Sequence, residues 1–126
     1  MEYSFTQLEK EFDRLGIELT DEKLVELNLL SNNGEVNYEG ILLSDQCTHR
    51  VKLIDYTDNE KVEIVTGSLI AQYVGIKEKL IQISNEMKYP IKALIEALKN
   101  IILHRDYSYK GDSIIRIYKD RIEFIS

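Results

Sequence analysis

The chain has 126 residues, of which 44% are hydrophobic and 30% charged, so it can form one globular domain with a buried core. Its formal net charge of −6 at pH 7 argues against a main nucleic-acid contact in this segment, because phosphate binding requires a surplus of Lys and Arg on some face. The single cysteine, Cys47, excludes an internal disulfide, and no apolar run approaches the roughly 18 residues of a membrane span; these features predict a cytoplasmic protein without membrane contact.

Two helices are predicted in the first 34 residues. The first begins at Ser4, where Ser4 and Gln7 have the spacing of a capping box. The second follows Thr20, a residue type that favours the N-cap position. The first helix carries an apolar stripe and ends at Gly16, and the second ends before a run of turn-forming residues at 31–34. The stripe consists of Phe5, Leu8, Phe12 and Leu15.

The central part of the chain predicts one short helical segment, a β-hairpin and a long helix. Residues 37–44 suit one or two helical turns. Residues 50–56 and 61–66 read as antiparallel strands joined by a polar turn at 57–60. A helix capped by Gly67 or Ser68 then extends to about Met87, with apolar residues at helical spacing throughout.

The last part of the chain predicts a helix followed by a tight hairpin. Pro90 suits the first turn of a helix over residues 90–104, and strands over residues 113–118 and 121–125 turn at positions 119–120. The fold class is therefore α+β, a mixed α/β domain in which helices pack on antiparallel hairpins. We expect a single domain, with residues 1–66 and 67–126 as its two parts, and we expect a fragment of a longer protein, because the chain stops directly after a strand.

The helix over residues 90–104 has two chemically different sides. At 100° per residue, its leucines and isoleucines share a narrow arc. Glu96, Asn100 and His104 follow one another at intervals of four on the opposite side, and Arg105 and Asp106 come directly after them. A simple solvated face and a helix C-terminus that favours cations would also explain this pattern.

Residues 96–108 resemble a motif of bacterial transcriptional regulators that are often labelled RecG-like ATP-dependent DNA helicases. The sequence Glu-Ala-Leu-Lys-Asn-Ile-Ile-Leu-His-Arg-Asp-Tyr-Ser is similar to the family pattern Glu-Ala-Leu-x-Asn-Ala-x-x-His-Arg-Asp-Tyr-Ser. The family's Asp-Arg-Ile-Glu hairpin follows at residues 120–123. Two earlier segments, which start at Gly40 and at Gly67, resemble the family more weakly.

The resemblance implies a C-terminal region similar to the GHKL ATPase fold, in which this helix is the N-box. It implies that Glu96 is the catalytic residue that positions water, that Asn100 is the Mg²⁺ ligand and that His104 is a phosphate-side group. Arg105 and Asp106 would belong with them to the ATP-binding region. Such an assignment suits the chemistry, since Mg²⁺ prefers oxygen ligands and a carboxylate can act as a general base. In the full-length protein, ATP and Mg²⁺ would be cofactors and other parts would contact DNA.

The sequence has Lys99 at a variable position where the family has an apolar residue, and Ile101 where a small residue is usual. The chain also ends before the family's Pro-Gly-Gly. It contains neither the Asp-x-Gly-x-Gly adenine box nor a P-loop. We therefore expect an incomplete or degenerate ATP-binding region and an inactive fragment that binds no cofactor tightly. The alternatives are a true ATPase whose adenine-binding boxes lie outside this sequence, and a non-catalytic structural or homo-oligomerisation module in which Arg105 pairs with Asp106 and Tyr107 packs.

Overall fold

The computed structural model describes residues 3–103, 107 and 111–125. Within them the chain forms five helices and four strands, which confirms the predicted α+β class. None of the described helices is long and apolar enough to cross a membrane. In chain order the elements are α1 (Thr6–Arg14), α2 (Asp21–Glu26), α3 (Tyr38–Leu43), β1 (Val51–Asp55), β2 (Lys61–Val65), α4 (Leu69–Met87), α5 (Ile91–Leu103), β3 (Ser113–Ile117) and β4 (Ile122–Ile125).

The chain divides into two compact units. The N-terminal unit comprises Met1–Thr48 and Gly67–Ala71, and the C-terminal unit comprises His49–Thr66 and Gln72–Ser126. In the N-terminal unit, α1 and α2 bury their apolar sides in one core with the segment that precedes α3. The buried core residues are Phe5, Leu8, Leu24 and Leu29.

Helix starts in the N-terminal unit follow local capping chemistry at Thr20 and Ser68. The Thr20 hydroxyl accepts a hydrogen bond from the Lys23 amide, and the Ser68 hydroxyl accepts one from the Ala71 amide at 3.1 Å. Asn37 caps α3 in the same way, accepting from the Gly40 amide at 2.8 Å. Each side chain satisfies an amide that the helix itself leaves without a partner. The predicted caps at Thr20 and Ser68 are therefore confirmed.

The predicted capping box of α1 is wrong. The N-cap residue is Phe5, whose side chain has no acceptor atom, and the Ser4 hydroxyl instead donates to Asp45 at 2.6 Å. Both carboxylate oxygens of Asp45 lie 3.3 Å from the Thr6 amide, and one of them accepts from the Thr6 hydroxyl at 2.6 Å. A carboxylate some 40 positions along the chain thus caps α1, which no local pattern could have predicted.

The four strands of the C-terminal unit form one sheet in the order β2-β1-β3-β4. Both predicted hairpins are present, β1 with β2 and β3 with β4, and both are antiparallel. From the sequence, the first hairpin was expected to group with the N-terminal helices in residues 1–66. In the structure this hairpin joins the second one through a parallel pairing of β1 and β3. Strands that are distant in sequence leave no local sign of such pairing, so the joined sheet was missed.

The core of the C-terminal unit lies on one face of this sheet. In β3, burial alternates along the strand, and Ile115 and Ile117 are fully buried, as expected when one face packs and the other does not. Helix α5 contacts β4, and its buried side contributes to the core with that of α4. The buried helical residues of this unit include Ile76, Leu80, Leu98 and Ile102.

Candidate functional site

Helix α5 positions the residues for which the sequence predicted chemistry. It begins one residue after Pro90, whose carbonyl accepts a hydrogen bond from the Leu94 amide at 3.3 Å. Proline fits this position because it needs no amide hydrogen there. Leu98 and Ile102 are 0% and 1% exposed, so the packing of these side chains fixes the rotation of the helix about its axis.

Glu96 and Asn100 are both exposed on the side of α5 opposite this buried side. Because they are four positions apart, their side chains are neighbours on the helix surface. The Glu96 carboxylate lies 3.6 Å from the ammonium group of Lys99, one of the residues that departs from the family pattern. Both side chains of that pair are well exposed, so the pair contributes little to stability. The structure therefore brings two predicted site residues together on one accessible surface.

His104, Arg105 and Asp106 lie outside the described residues. The predicted phosphate-side role of His104 and the predicted roles of Arg105 and Asp106 stay predictions. Among the residues that the structure describes, no three His, Cys, Asp or Glu side chains come together as a metal-binding group.

Tyr107 anchors the connection between α5 and the sheet. Its hydroxyl donates a hydrogen bond to the Ile102 carbonyl at 2.7 Å. Its ring meets the His49 ring edge to face, with ring centroids 4.7 Å apart. An orphan carbonyl of the last helical turn is thereby satisfied, and the tyrosine is held against the residue that precedes β1 by two positions. From the sequence, Tyr107 was expected to pack only in the structural alternative.

An ion pair connects the residues just before β1 and β3, at the start of the parallel strand pair. The Arg50 guanidinium makes two hydrogen bonds of 2.9 Å to the Asp112 carboxylate, and the Ser113 amide donates to the Arg50 carbonyl at 3.1 Å. The hydrogen bond to Asp112, with the attraction of its charge, raises the pKa of Arg50. The planar fork of arginine matches a carboxylate in this two-bond geometry. Neither residue was singled out from sequence, because the pairing of β1 with β3 could not be foreseen.

An aromatic cluster closes the other end of the parallel strand pair. The rings of Tyr56 and Tyr118 stack with centroids 5.0 Å apart, and the Arg121 guanidinium lies 4.0 Å from the centre of the Tyr118 ring. The Tyr89 hydroxyl donates to the Tyr118 carbonyl at 3.1 Å, and burial, followed by the charge of Asp120, raises the pKa of Tyr89. The cluster links Tyr89, two positions before α5, to Tyr118 and Arg121, which flank the turn between β3 and β4.

The N-terminal unit contains a groove of about 940 Å³ that sequence reasoning missed. Its walls include the apolar side chains of Phe5, Leu24 and Val36 and the carboxylates of Glu9 and Glu35. None of the described residues that line this groove belongs to α5. Its lining residues are scattered along the first 36 positions, which explains why no motif indicated it.

Comparison with known proteins identifies a fold but no family. No family model matches the chain, and no curated protein matches it. The solved structure of the DIP2311 protein from Corynebacterium diphtheriae is similar, with a TM-score of 0.67 and 23% sequence identity. The similarity covers 89% of this chain but only 25% of that protein, so the chain spans about a quarter of its length. At this identity the likeness shows a shared fold alone.

Proposed function

We propose that this chain is part of a bacterial transcriptional regulator and that the exposed side of α5 belongs to its ATP-binding region. The observation that supports the proposal is the exposure of Glu96 and Asn100 on one surface of a helix whose other side is locked into the core. The two residues fall within a run that resembles the N-box motif. A polar pair with a structural task would instead be expected to have buried partners.

The proposed roles follow from the chemistry of each side chain. The carboxamide oxygen of Asn100 would hold Mg²⁺, which binds oxygen ligands and takes only one or two of them from the protein at phosphate sites. The Glu96 carboxylate would orient a water molecule and accept its proton. When bound, Mg²⁺ would neutralise charge on the phosphates of ATP. His104, Arg105 and Asp106 would complete the part of the region that faces the phosphates of ATP. We propose the cytoplasm as the compartment of the protein.

Lys99 modifies this proposal. Its ammonium group lies 3.6 Å from the Glu96 carboxylate, so this carboxylate already has a cationic partner where it would have to orient a water molecule. We therefore place binding before hydrolysis: the region would sense ATP, and DNA would be contacted by other parts of the full-length regulator. If the full-length protein also hydrolyses the ATP that it binds, the same residues would make it an active ATPase.

A structural module is the second candidate. The observation that favours it is the pair of contacts made by Tyr107, which ties the end of α5 to His49. In this version Tyr107 holds the end of α5 against the residues that precede β1, and the exposed Glu96 and Asn100 have no ligand.

The test is calorimetric titration of the full-length protein with ATP and Mg²⁺. We expect wild-type protein to bind and Asn100→Ala to bind at least about tenfold more weakly, because a ligand of the metal is lost. Glu96→Gln should retain binding and lose whatever turnover the wild type shows. Asn85→Ala, which removes an exposed asparagine from α4, is the matched control and should bind like wild type. Absence of binding by wild type, or equal binding by all variants, would favour the structural module.

A further inference from the structure

Strand β2 forms an accessible edge of the sheet. It is the outermost strand next to β1, and within the described part of the chain no strand pairs with its outer side. It contains no proline. Val62 and Ile64 are 52% and 41% exposed. An uninterrupted edge with exposed aliphatic side chains is a template for pairing with another strand.

The two faces of β2 carry different chemistry. Glu63 makes an ion pair of 2.8 Å with Lys79 of α4, so Glu63 lies on the side of the sheet where that helix packs. Because side chains alternate along a strand, Lys61 shares this face, and Val62 and Ile64 lie on the opposite one. A charged pair and an aliphatic pair are therefore interleaved along the same edge.

The spacing of these residues makes the edge complementary to itself. In an antiparallel pair of two β2 strands related by a two-fold axis through Val62, Lys61 lies opposite Glu63 of the second copy. The same contact occurs again by symmetry, and the two valines meet between them. If the axis passed through Glu63 or Lys61 instead, like charges would face each other, which is unfavourable.

From this pattern we infer that two copies of the chain associate through β2, in the register centred on Val62, and extend the two four-stranded sheets into one of eight strands. Opposite charges directly across an antiparallel pair stabilise it, and like charges destabilise it. In the dimer the Glu63 carboxylate lies between Lys79 of its own chain and Lys61 of the second copy. The contact is limited to one short strand from each copy, so the interface belongs to the small, weak class and dimerisation depends on concentration.

Sedimentation velocity of the 126-residue chain from micromolar to millimolar concentration tests this inference. Wild type should shift from monomer to dimer. Lys61→Glu places acidic groups opposite each other, and Glu63→Lys does the same with basic groups, so each should weaken dimerisation at least about tenfold. Lys119→Glu changes the net charge equally in the turn of the other hairpin and should leave dimerisation unchanged.

Two further samples separate this register from a general loss of folding. An equimolar mixture of the Lys61→Glu and Glu63→Lys chains should form heterodimers, because each acidic edge then meets a basic one. The double variant should dimerise like wild type, since it exchanges the charges within the same register. Circular dichroism melts verify that each variant is folded.

Three outcomes would overturn the inference. The first is a wild-type chain that stays monomeric at every concentration. The second is a dimer that neither single charge change weakens. The third is a pair of folded single variants that remain monomeric when mixed, which would show that positions 61 and 63 do not face each other across an interface.

Discussion

At the scale of single residues, several side chains act through partners that are distant in sequence. Asp45 is half-buried and receives hydrogen bonds from Ser4 and Thr6 at the start of α1. Burial by itself would raise the pKa of Asp45, but these hydrogen bonds stabilise the ionised form more strongly, and the pKa is lowered from its ordinary value of 3.8. Asp45 thus replaces the capping box that the sequence indicated at Ser4 and Gln7.

The lowered pKa of Asp45 predicts a defined dependence of stability on pH. A carboxyl group with a lower pKa in the folded state contributes stability above its unfolded pKa, and loses that contribution as the pH falls through the folded value. Asp45→Ala should lower the free energy of unfolding by about 1 kcal/mol at neutral pH, as removal of a helix cap does. This difference from wild type should shrink below about pH 4.

Urea unfolding between neutral pH and pH 3 measures the effect. Asp13→Ala removes an exposed carboxylate from the same helix and is the control, with little effect expected at any pH. A difference between wild type and Asp45→Ala that stayed constant into acid would show that the ionised carboxylate of Asp45 is not what caps α1.

At the scale of helices and strands, the local sequence pattern predicted the elements well but did not predict which elements pack or pair with one another. The helix predicted at residues 90–104 is α5, Ile91–Leu103, and the predicted hairpins match β1 with β2 and β3 with β4. Leu15 was predicted to belong to the buried stripe of α1 and is 70% exposed, because the helix ends at Arg14 and the chain turns away there. Periodicity predicts the inside of a helix, but at its end tertiary packing decides.

Helix α5 allows its two sides to be tested separately. Leu98→Ala and Ile102→Ala should each lower the free energy of unfolding by about 2–4 kcal/mol, because they remove volume from a fully packed core. Glu96→Ala and Asn100→Ala should change it by less than about 0.5 kcal/mol, since both side chains are exposed. Thermal and urea unfolding of the four variants supply the comparison.

The same four variants bear on function. If Asn100→Ala destabilised the chain as much as Leu98→Ala, Asn100 would be a structural hydrogen-bonding residue, and the proposed nucleotide region would lose its main support. If Asn100→Ala is neutral for stability and harmful to ATP binding in the full-length protein, the exposed side of α5 serves a ligand. The two measurements together thus separate a packing role from a binding role.

At the scale of the whole molecule, charge is distributed unevenly between the two units. The N-terminal unit carries 11 acidic and 3 basic residues, a net charge of −8, whereas the C-terminal unit carries 11 acidic and 13 basic residues, a net charge of +2. The overall charge of −6 was evident from composition. The division of this charge between the two units was not evident from composition, because the unit boundaries depend on the parallel pairing of β1 with β3. That pairing brings residues 49–66 together with the C-terminal part of the chain.

This distribution predicts that the chain does not bind duplex DNA tightly. Binding to DNA at physiological salt derives much of its free energy from counterions that Lys and Arg release from the phosphates. The N-terminal unit would repel the phosphates, and basic side chains of the C-terminal unit are partly engaged in ion pairs, as Arg50 is with Asp112 and Arg116 with Glu123. Fluorescence anisotropy with a random-sequence duplex at about 150 mM salt should therefore show no sub-micromolar binding.

At lower salt any binding should strengthen only slightly, because few phosphates are neutralised. The proposed full-length protein, measured in the same way, is the comparison: tight binding by it alone would place the DNA contact in other parts of that protein, whereas sub-micromolar binding by the 126-residue chain would contradict the argument from charge.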